Sequence, residues 1–257
     1  MNGSVLATRD ITVRYGGVHA LTDVSIDVQA GEMVGLIGPN GAGKTTFIDA
    51  VTGFAKCRGH VELGGKNISN LKPHARACRG LARTWQTVEL FDDLTVGENL
   101  AVAAGRPSIR RAVIEAFRNG DRTLPPVKEA LTMLGIAEFA DAMPGQLSEG
   151  QRKLVGVARA VAADPTILCL DEPAAGLDTS ESALLAARLR PLADRGIPML
   201  LIDHDMGFVF SICDRIYVLE FGRIIACGTP QEVRRDQRVV KAYLGESGAT
   251  IDLEPGR

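Results

Sequence analysis

The sequence lacks long apolar runs, a large net charge and closely spaced cysteines. No apolar run approaches the ~18 residues that a membrane-spanning helix needs. The net charge of −2 gives no electrostatic reason to expect nucleic acid or an anionic membrane surface as a partner. The N-terminal stretch MNGSVLATRD lacks the character of a signal peptide. If the protein serves a membrane, we therefore expect it to act from the cytoplasmic side through other subunits.

The cysteines show no close pair with metal-ligand spacing, and their number is odd. Two of them lie in apolar runs, Cys169 and Cys213, and we expect these to be small core residues. A scattered, odd set without a disulfide framework suits a reducing cytoplasm. The five cysteines are Cys57, Cys78, Cys169, Cys213 and Cys227.

The most informative stretch is GPNGAGKTT at 38–46, which has the spacing of a phosphate-binding loop. It lies between a strand-like apolar run at 33–37 and a helix-like run at 45–52, as such a loop requires. Glycines let successive N–H groups point at one anion, and the following helix adds its positive N-terminal end. Lys44 is expected to reach the β- and γ-phosphates of a nucleoside triphosphate, and the Thr45 hydroxyl to hold Mg²⁺. A glycine-rich turn that binds nothing is the less favoured interpretation.

A second apolar run, at 166–170, ends in the two carboxylates Asp171 and Glu172. A buried strand delivers such carboxylates to the ligand-binding edge of an open α/β sheet. Asp171 is expected to hold Mg²⁺, and Glu172 to polarise the water that attacks the γ-phosphate. The pattern is weak by itself, and the phosphate loop earlier in the chain makes it strong.

The stretch LSEGQ at 147–151 precedes a helix that we predict over 152–161. Ser148 is compatible with a simple role as the helix N-cap. Alternatively, Ser148, the Gly150 backbone and the helix N-terminus form a second phosphate site. If this site lies far from the phosphate loop of its own chain, it can serve that nucleotide only across a dimer.

The apolar pattern predicts an α/β protein. Alternating residues indicate two strands, at 5–14 and 21–28, which favours an antiparallel layer beside a nucleotide-binding core. Glycines at 64–65 predict a hairpin, and Thr95 with Glu98 predicts a capping box for a helix over 95–104. From residue 166 onward strands alternate with helices, as in a sheet covered on both sides. Residues 246–257 lack apolar periodicity and are expected to form a loose tail.

Residues 105–126 carry a run of basic residues that ends in two prolines. A solvated surface is the favoured interpretation of such a run, and a docking surface for a partner is the alternative. The basic residues of this insertion are Arg106, Arg110, Arg111, Arg118 and Arg122.

Five signals occur in the order of one family: GPNGAGKTT at 38–46, Gln86, LSEGQ at 147–151, LCLDEP at 168–173, and His204. Through them the chain resembles the ATP-binding subunit of an ABC transporter over nearly its whole length. The resemblance implies a P-loop NTPase fold in a single domain, 1–245. Its RecA-like core and antiparallel β-subdomain would take 1–87 and 163–245, and its helical signature subdomain about 88–162. It also implies ATP and Mg²⁺ as cofactors and a head-to-tail dimer with two ATP molecules between the subunits.

The resemblance assigns roles to single residues. Tyr15 matches the aromatic residue that stacks on adenine, and Gln86 the glutamine that touches Mg²⁺ and senses the transmembrane partner. Asp178 matches the aspartate that links the two sites of the dimer, and His204 the histidine that contacts the γ-phosphate. Glu149 departs from the family, whose commonest signature has glycine there. The expected nucleotide-binding residues are Tyr15, Gly38, Asn40, Gly41, Gly43, Lys44, Thr45, Thr46, Gln86, Ser148, Gly150, Gln151 and Asp178. The expected metal ligands are Thr45, Gln86 and Asp171, and the expected catalytic residues are Lys44, Glu172 and His204.

Four stretches resemble the ATPases of branched-chain amino acid importers: RTWQ at 83–86, the basic insertion, DHDM at 203–206, and the C-terminal part from GTP at 228–230 to AYLG at 242–245. This resemblance implies permease subunits, a second ATPase subunit (the same chain or a paralogue) and, indirectly, an external solute-binding protein. The expected location is the cytoplasmic face of the membrane, and related members serve urea or short amides.

Two alternatives stay open. The ATPase of lipopolysaccharide export shares the style of PHAR at 73–76 and the C-terminal ending, but it lacks so obvious an insertion after residue 105. A non-transport ABC ATPase of repair or translation usually holds two ATPase domains or a long coiled coil, for which 257 residues leave no room.

Overall fold

The computed structural model describes residues 3–104 and 124–244. The predicted tail and residues 105–123 of the basic insertion lie outside the described residues. The strands of the described part are β1 (Leu6–Tyr15), β2 (Val18–Val24), β3 (Asp27–Val28), β4 (Met33–Ile37), β5 (Arg58–Leu63), β6 (Lys66–Asn67), β7 (Leu81–Arg83), β8 (Ile167–Asp171), β9 (Met199–Ile202), β10 (Arg215–Glu220) and β11 (Arg223–Gly228). Its α-helices are α1 (Lys44–Thr52), α2 (Pro73–Ala77), α3 (Val96–Ala104), α4 (Pro125–Leu134), α5 (Glu149–Ala162), α6 (Thr179–Asp194), α7 (Met206–Ile212), α8 (Pro230–Arg235) and α9 (Gln237–Leu244).

The larger sheet has the strand order β11-β10-β4-β9-β8-β7. The strands from β10 to β7 run parallel, and β11 closes one edge antiparallel to β10. Every residue of β4, β8 and β9 is buried, because both faces of this sheet are covered. The predicted α/β sheet with helices on both sides is therefore confirmed.

The two faces of this sheet belong to two hydrophobic clusters. One cluster joins the face that carries Leu168, Leu170 and Leu201 to helices α3–α7. The other joins the opposite face to helix α1 and to the smaller sheet, with Phe47 of α1 fully buried. The phosphate loop therefore emerges from the centre of the core sheet, with packed layers on both sides. The division at residues 88 and 162 into a core and a helical subdomain remains a prediction.

The smaller sheet is antiparallel, with the order β2-β1-β5-β6 and with β3 paired to β1, so the predicted antiparallel layer is confirmed. The prediction of one strand over 21–28 is wrong, because the chain forms β2 and then β3. Asp23, the second-last residue of β2, has a left-handed backbone (φ 51°), which bends the chain at the end of this strand. The Thr8 hydroxyl then accepts a hydrogen bond from Ile26 N at 2.8 Å, taking the place of a strand-to-strand bond. Strand β1 thus pairs with β2 along one part of its length and with β3 along another.

Local signals at two other positions are confirmed. Gly64 and Gly65, both with positive φ, connect β5 to β6 as the hairpin prediction requires. At the start of α3, Thr95 N donates to Glu98 Oε2 (2.8 Å) and Glu98 N donates to Thr95 Oγ1 (3.3 Å), which is a capping box.

A polar cluster joins the smaller sheet to the core sheet. Arg215 of β10 contacts Asp27 of β3 (Nη2 to Oδ2, 3.0 Å) and Glu32 (Nε to Oε1, 2.8 Å). The Tyr217 hydroxyl donates a further hydrogen bond to Asp27 Oδ1 at 2.9 Å. The Arg215 guanidinium, bonded to this carboxylate, lowers the pKa of Asp27 from 3.8 to about 2. The cluster therefore favours the charged form of Asp27 in the folded protein.

We expect Asp27→Asn to lower the free energy of unfolding by about 1–2 kcal/mol at neutral pH, since the cluster is partly exposed to solvent. Because folding lowers this pKa, the stabilisation is complete above about pH 4 and is lost as the pH falls towards 2. Urea unfolding of both proteins between pH 2 and 7 measures it. Asp92→Asn is a matched control, because Asp92 is exposed and its contact with Arg152 is long (3.9 Å). A wild-type advantage that persisted at pH 2 would contradict the assignment to Asp27.

Candidate active site

The phosphate loop curls tightly between β4 and α1. Gly43 caps α1 in a left-handed conformation (φ 108°), and a Cβ there would lie 2.8 Å from the Ala20 carbonyl oxygen. A Cβ on Gly41 would meet nothing within 4 Å, so the loop has open space on that side. The buried Lys44 ammonium donates to the carbonyl oxygens of Pro39 (3.0 Å) and Gly38. A cation, a helix N-terminus and an open concave backbone together suit a phosphate group.

The three predicted metal ligands line one groove of about 840 Å³. Thr45 is the second residue of α1, Asp171 ends β8, and Gln86 follows β7. The Thr45 and Gln86 side chains are exposed, whereas that of Asp171 is 8% exposed. Hydroxyl, amide and carboxylate oxygens are the ligands that Mg²⁺ takes in proteins, so the donor chemistry of these residues fits the ion.

Glu172 contacts residues that follow the two strands on either side of its own strand, β8. Its Oε2 accepts a hydrogen bond from Gln86 Nε2 at 2.7 Å and lies 3.6 Å from Nδ1 of His204. Gln86 follows β7, Glu172 follows β8, and His204 follows β9. The backbone of Glu172 is left-handed (φ 47°), a costly conformation for a residue other than glycine that is found at functional sites. The structure thus brings together Gln86, Glu172 and His204, while their catalytic roles remain predictions.

Asp203 lies beside the candidate site, and the sequence predicted no role for it. Its side chain is fully buried, and Oδ1 accepts hydrogen bonds from His204 N (2.8 Å) and Asp205 N (3.0 Å). Its Oδ2 accepts another from Ala174 N at 3.0 Å. Asp203 therefore fixes the backbone of His204 relative to the loop after Glu172. A carboxylate directly after an apolar strand was the signal that could have found it.

Lys153 is a second residue without a predicted role. Its side chain is buried, and its ammonium lies 3.5 Å from the Glu172 carbonyl oxygen. Burial lowers the pKa of this lysine, while the nearby carboxylates of Glu149 and Asp203 oppose the shift. Lys153 connects helix α5 to the end of strand β8, where the two candidate carboxylates lie.

The LSEGQ stretch begins helix α5, and Ser148 is its N-cap as predicted. Gln151 N donates to Ser148 Oγ at 3.3 Å, and Ser148 N donates to Gln151 Oε1 at 2.8 Å. A Cβ on Gly150 would lie 3.2 Å from a carboxylate oxygen of Glu181, and one on Gly176 would lie 3.0 Å from one of Glu149. The start of α5 thus faces the loop before α6. Among the described residues, no hydrogen bond joins Ser148, Gly150 or Gln151 to residues 38–46.

The remaining predicted ligand residues lie at exposed positions or on α1. Asp178 caps α6 and accepts hydrogen bonds from Glu181 N (2.8 Å) and Ser180 Oγ (2.7 Å), which hold its pKa below the ordinary value. Tyr15 ends β1 with 57% of its surface exposed. Asn40 is exposed at the tip of the phosphate loop, and Thr46 is half-buried on α1.

A phosphate loop after the central strand of a mostly parallel sheet, with two carboxylates at the end of a neighbouring strand, defines a P-loop nucleoside triphosphatase. Residues 21–175 match the ABC transporter family, and residues 223–249 match the branched-chain amino acid ATP-binding cassette transporter family. The chain therefore belongs to the ABC transporter family of ATP-binding proteins.

Proteins of known role resemble the chain over nearly its whole length. The high-affinity branched-chain amino acid transport ATP-binding protein BraF of Pseudomonas aeruginosa is 38% identical, over 96% of this chain and all of that protein. The lipopolysaccharide export system ATP-binding protein LptB of Escherichia coli is 36% identical, over 95% of this chain and 98% of that protein. A crystal structure of the ADP conformation of an ATP-binding cassette of an ABC transporter superposes with a TM-score of 0.82. It is 32% identical and covers 95% of this chain and 99% of that one.

The family, the P-loop NTPase fold and the binding of ATP predicted from the sequence are thereby confirmed. The chain is an ATPase of the kind that drives transport through membrane-spanning permease partners. Within the described residues, no helix is both long enough and apolar enough to cross a bilayer.

Proposed function

We propose that the chain is the ATP-hydrolysing subunit of an importer for branched-chain amino acids or related small polar solutes. It would bind at the cytoplasmic face of the membrane, to permease subunits that work with an external solute-binding protein. The match of residues 223–249 to the branched-chain transporter family and the likeness to BraF support this solute class. The observation that carries the catalytic part is the meeting of Gln86, Glu172 and His204 at three neighbouring strand ends.

The loop 38–46 is proposed to bind the ATP phosphates through its backbone N–H groups, with Lys44 reaching the β- and γ-phosphates. The open side at Gly41 and the position of the Lys44 ammonium against the loop carbonyls support this. Asn40, Thr45 and Thr46 would extend the contact along the loop and the first turn of α1, and Tyr15 would stack on the adenine ring.

Glu172 is proposed to act as the general base. A carboxylate that accepts a proton from water makes that water a better nucleophile toward the γ-phosphate. Gln86 and His204 contact the same oxygen of Glu172, so they can orient the carboxylate toward a water and a phosphate. Thr45, Gln86 and Asp171 would hold Mg²⁺, which when bound neutralises charge on the phosphates. Asp203 keeps His204 in place by holding its backbone N–H.

A second ATPase subunit, a copy of this chain or a paralogue, is proposed to complete each site in a head-to-tail dimer. Ser148, Gly150 and Gln151 start a helix whose N-terminal end is suited to a phosphate, yet within the chain this end faces the loop before α6. They would therefore serve the nucleotide of the partner subunit, and Asp178 would link the two sites. Glu149 replaces the usual glycine without removing Ser148 or Gly150.

The groove at Gln86 is proposed as the place where a permease segment docks between two lobes of one domain. Strand β7 and the following residues line one wall, and α5 lines the other, including Gly156, Val157 and Ala160. The RecA-like core and β layer would span 1–87 and 163–245, and the helical lobe 88–162. When ATP binds, the lobes would close, and the permease segment docked in this groove would transmit that motion to the permeases.

Lipopolysaccharide export is the second candidate function, because LptB is nearly as similar to the chain as BraF. We expect a mild-detergent purification of this chain from its native membranes to bring down two permeases and a second, different ATPase. Mass spectrometry identifies the co-purified proteins. The Lys44→Ala variant is purified in the same way, and its co-purified proteins are compared with those of the wild type. Two copies of this ATPase with membrane subunits of a lipid exporter would support the second candidate. Recovery of neither kind of membrane subunit would contradict the transport function.

A further inference from the structure

Arg83 joins the two structural elements that carry the proposed nucleotide ligands. Its side chain is only 6% exposed, and its guanidinium forms ion pairs with two carboxylates through separate nitrogens. Nη1 contacts Asp49 Oδ1 of helix α1 at 2.6 Å, and Nη2 contacts Asp171 Oδ2 at the end of β8 at 2.7 Å. Arg83 therefore holds the helix that follows the phosphate loop against the strand that presents the proposed metal ligand.

The pairing of β7 with β8 sets this contact. The strands are parallel, with Arg83 opposite Cys169, so Asp171 lies two residues along β8 on the same face as Cys169. The bond from Thr84 N to the Cys169 carbonyl oxygen (2.9 Å) continues the ladder past Arg83. The sheet thus positions the backbone of Arg83, and the two carboxylates and the Trp85 ring position its guanidinium.

The same guanidinium lies on the ring of Trp85, with 4.0 Å from Cζ to the ring centroid. Trp85 is 47% exposed, lines the groove beside Gln86, and packs edge-on against Phe54 with ring centroids 5.2 Å apart. Buried Nε of Arg83 has no hydrogen-bond partner among the described residues. The guanidinium is therefore shared between an aromatic ring in the groove and two carboxylates below it.

We propose that Arg83 is a positioning residue that couples Trp85, in the groove, to the Asp171 carboxylate. It is a second connection beside the one from Gln86 to Glu172, and it rests on the proposed role of Asp171 in holding Mg²⁺. A divalent cation at Asp171 competes with the guanidinium for the carboxylate, which shifts the guanidinium on the Trp85 ring. Because coupling between two sites is reciprocal, a partner segment that displaces Trp85 in turn changes the affinity for the cation.

The coupling depends on the shape of arginine as well as on its charge. A planar guanidinium can bind two carboxylates with separate nitrogens and still lie flat on an aromatic ring. A lysine ammonium at this position keeps the charge but cannot span the carboxylates and the ring together. Arg83→Lys is therefore the most informative variant, because it changes the shape of the side chain and keeps its positive charge.

Trp85 is the only tryptophan of the chain, so intrinsic tryptophan fluorescence reports on this residue alone. In the full-length protein with ATP and EDTA, we expect addition of excess Mg²⁺ to change the Trp85 emission beyond the effect of ATP. In Arg83→Lys we expect the amplitude of this Mg²⁺-dependent change to fall at least ~3-fold. ATP affinity in EDTA, measured by calorimetry, should stay within ~3-fold of the wild type, because the phosphate loop is unchanged.

Arg152→Lys is the matched control, because Arg152 is partly exposed and its side chain makes, among the described residues, only the 3.9 Å ionic contact with Asp92. If Arg83→Lys does not fold, Asp49→Asn is the second variant. It removes the ion pair between Asp49 and Arg83 and should also reduce the Mg²⁺-dependent change in Trp85 emission. A purely structural role of Arg83 would lower the melting temperature and leave the Mg²⁺ response intact, which would overturn the proposal. An absent Mg²⁺ response in the wild type, with ATP and Mg²⁺ both bound by calorimetry, would overturn it too. Absence of ATP binding itself would instead contradict the proposed function.

Discussion

Glu172→Gln is expected to lower ATP turnover by roughly 10²–10⁴-fold while ATP binding stays intact. Glutamine has nearly the shape of glutamate and can still contact Gln86 and His204, but it cannot accept a proton from water. The partly buried site changes little in volume, so the fold is expected to hold. Phosphate release measures turnover, and calorimetry measures binding of ATP to the same preparation.

The matched control is Glu138→Gln, which changes an exposed glutamate in the 3₁₀ turn Ala137–Phe139 and should leave turnover unchanged. Ordinary turnover in Glu172→Gln would remove Glu172 from the role of general base. Loss of ATP binding together with turnover would point to a structural role instead, such as support of the left-handed turn at Glu172.

The elements that the sequence predicts best are those with a local cause. Strands β4, β8 and β9 are continuous apolar runs because both sheet faces are covered, and α1 starts where the glycines of the phosphate loop end. The capping box at Thr95 and the hairpin at 64–65 are likewise determined by neighbouring residues. In each case the residues that form the feature are close in sequence, so a pattern can reveal it.

The features that escaped prediction depend on contacts between distant residues. The break between β2 and β3 depends on the left-handed Asp23 and on the hydroxyl of Thr8, which pairs with Ile26. Arg83 and Asp171 meet across 88 positions of sequence, and their contact follows only from the pairing of β7 with β8. Asp203 in the same way acquires its role from a backbone N–H of the loop after β8.

The candidate site also contains features with a local cause and features that depend on contacts between distant residues. Glu172 was predicted from the apolar strand before it, and His204 only through the resemblance. That the two lie side by side follows from the strand order, which places the ends of β8 and β9 next to each other. For Ser148, the N-cap role has a local cause and is confirmed, whereas a phosphate contact would need a second subunit. The catalytic, metal-binding and nucleotide-binding roles of the site residues all stay predictions, and the phosphate contact of Ser148 depends on a partner as well.

Lys44→Ala is expected to weaken ATP binding by about 10²-fold or more, because each charge-assisted hydrogen bond to a phosphate contributes about 1.5–3 kcal/mol. The ammonium already lies against the loop, where it donates to the carbonyl oxygens of Gly38 and Pro39. A phosphate in the loop would therefore meet a cation whose position is fixed before binding, so little entropy is lost on contact. Calorimetric titration with ATP and Mg²⁺ measures the change in affinity.

Two further variants separate the charge of Lys44 from the integrity of the loop. Lys66→Ala removes an exposed lysine of the hairpin and should leave ATP affinity unchanged. Lys44→Arg keeps the charge but places a larger, planar group in a buried position, so we expect an affinity between those of Lys44→Ala and the wild type. Unchanged ATP affinity in a folded Lys44→Ala would exclude this lysine from phosphate binding. The loop backbone and the N-terminus of α1 would then have to provide the binding energy, and Glu172 would lack a positioned γ-phosphate toward which to direct a water.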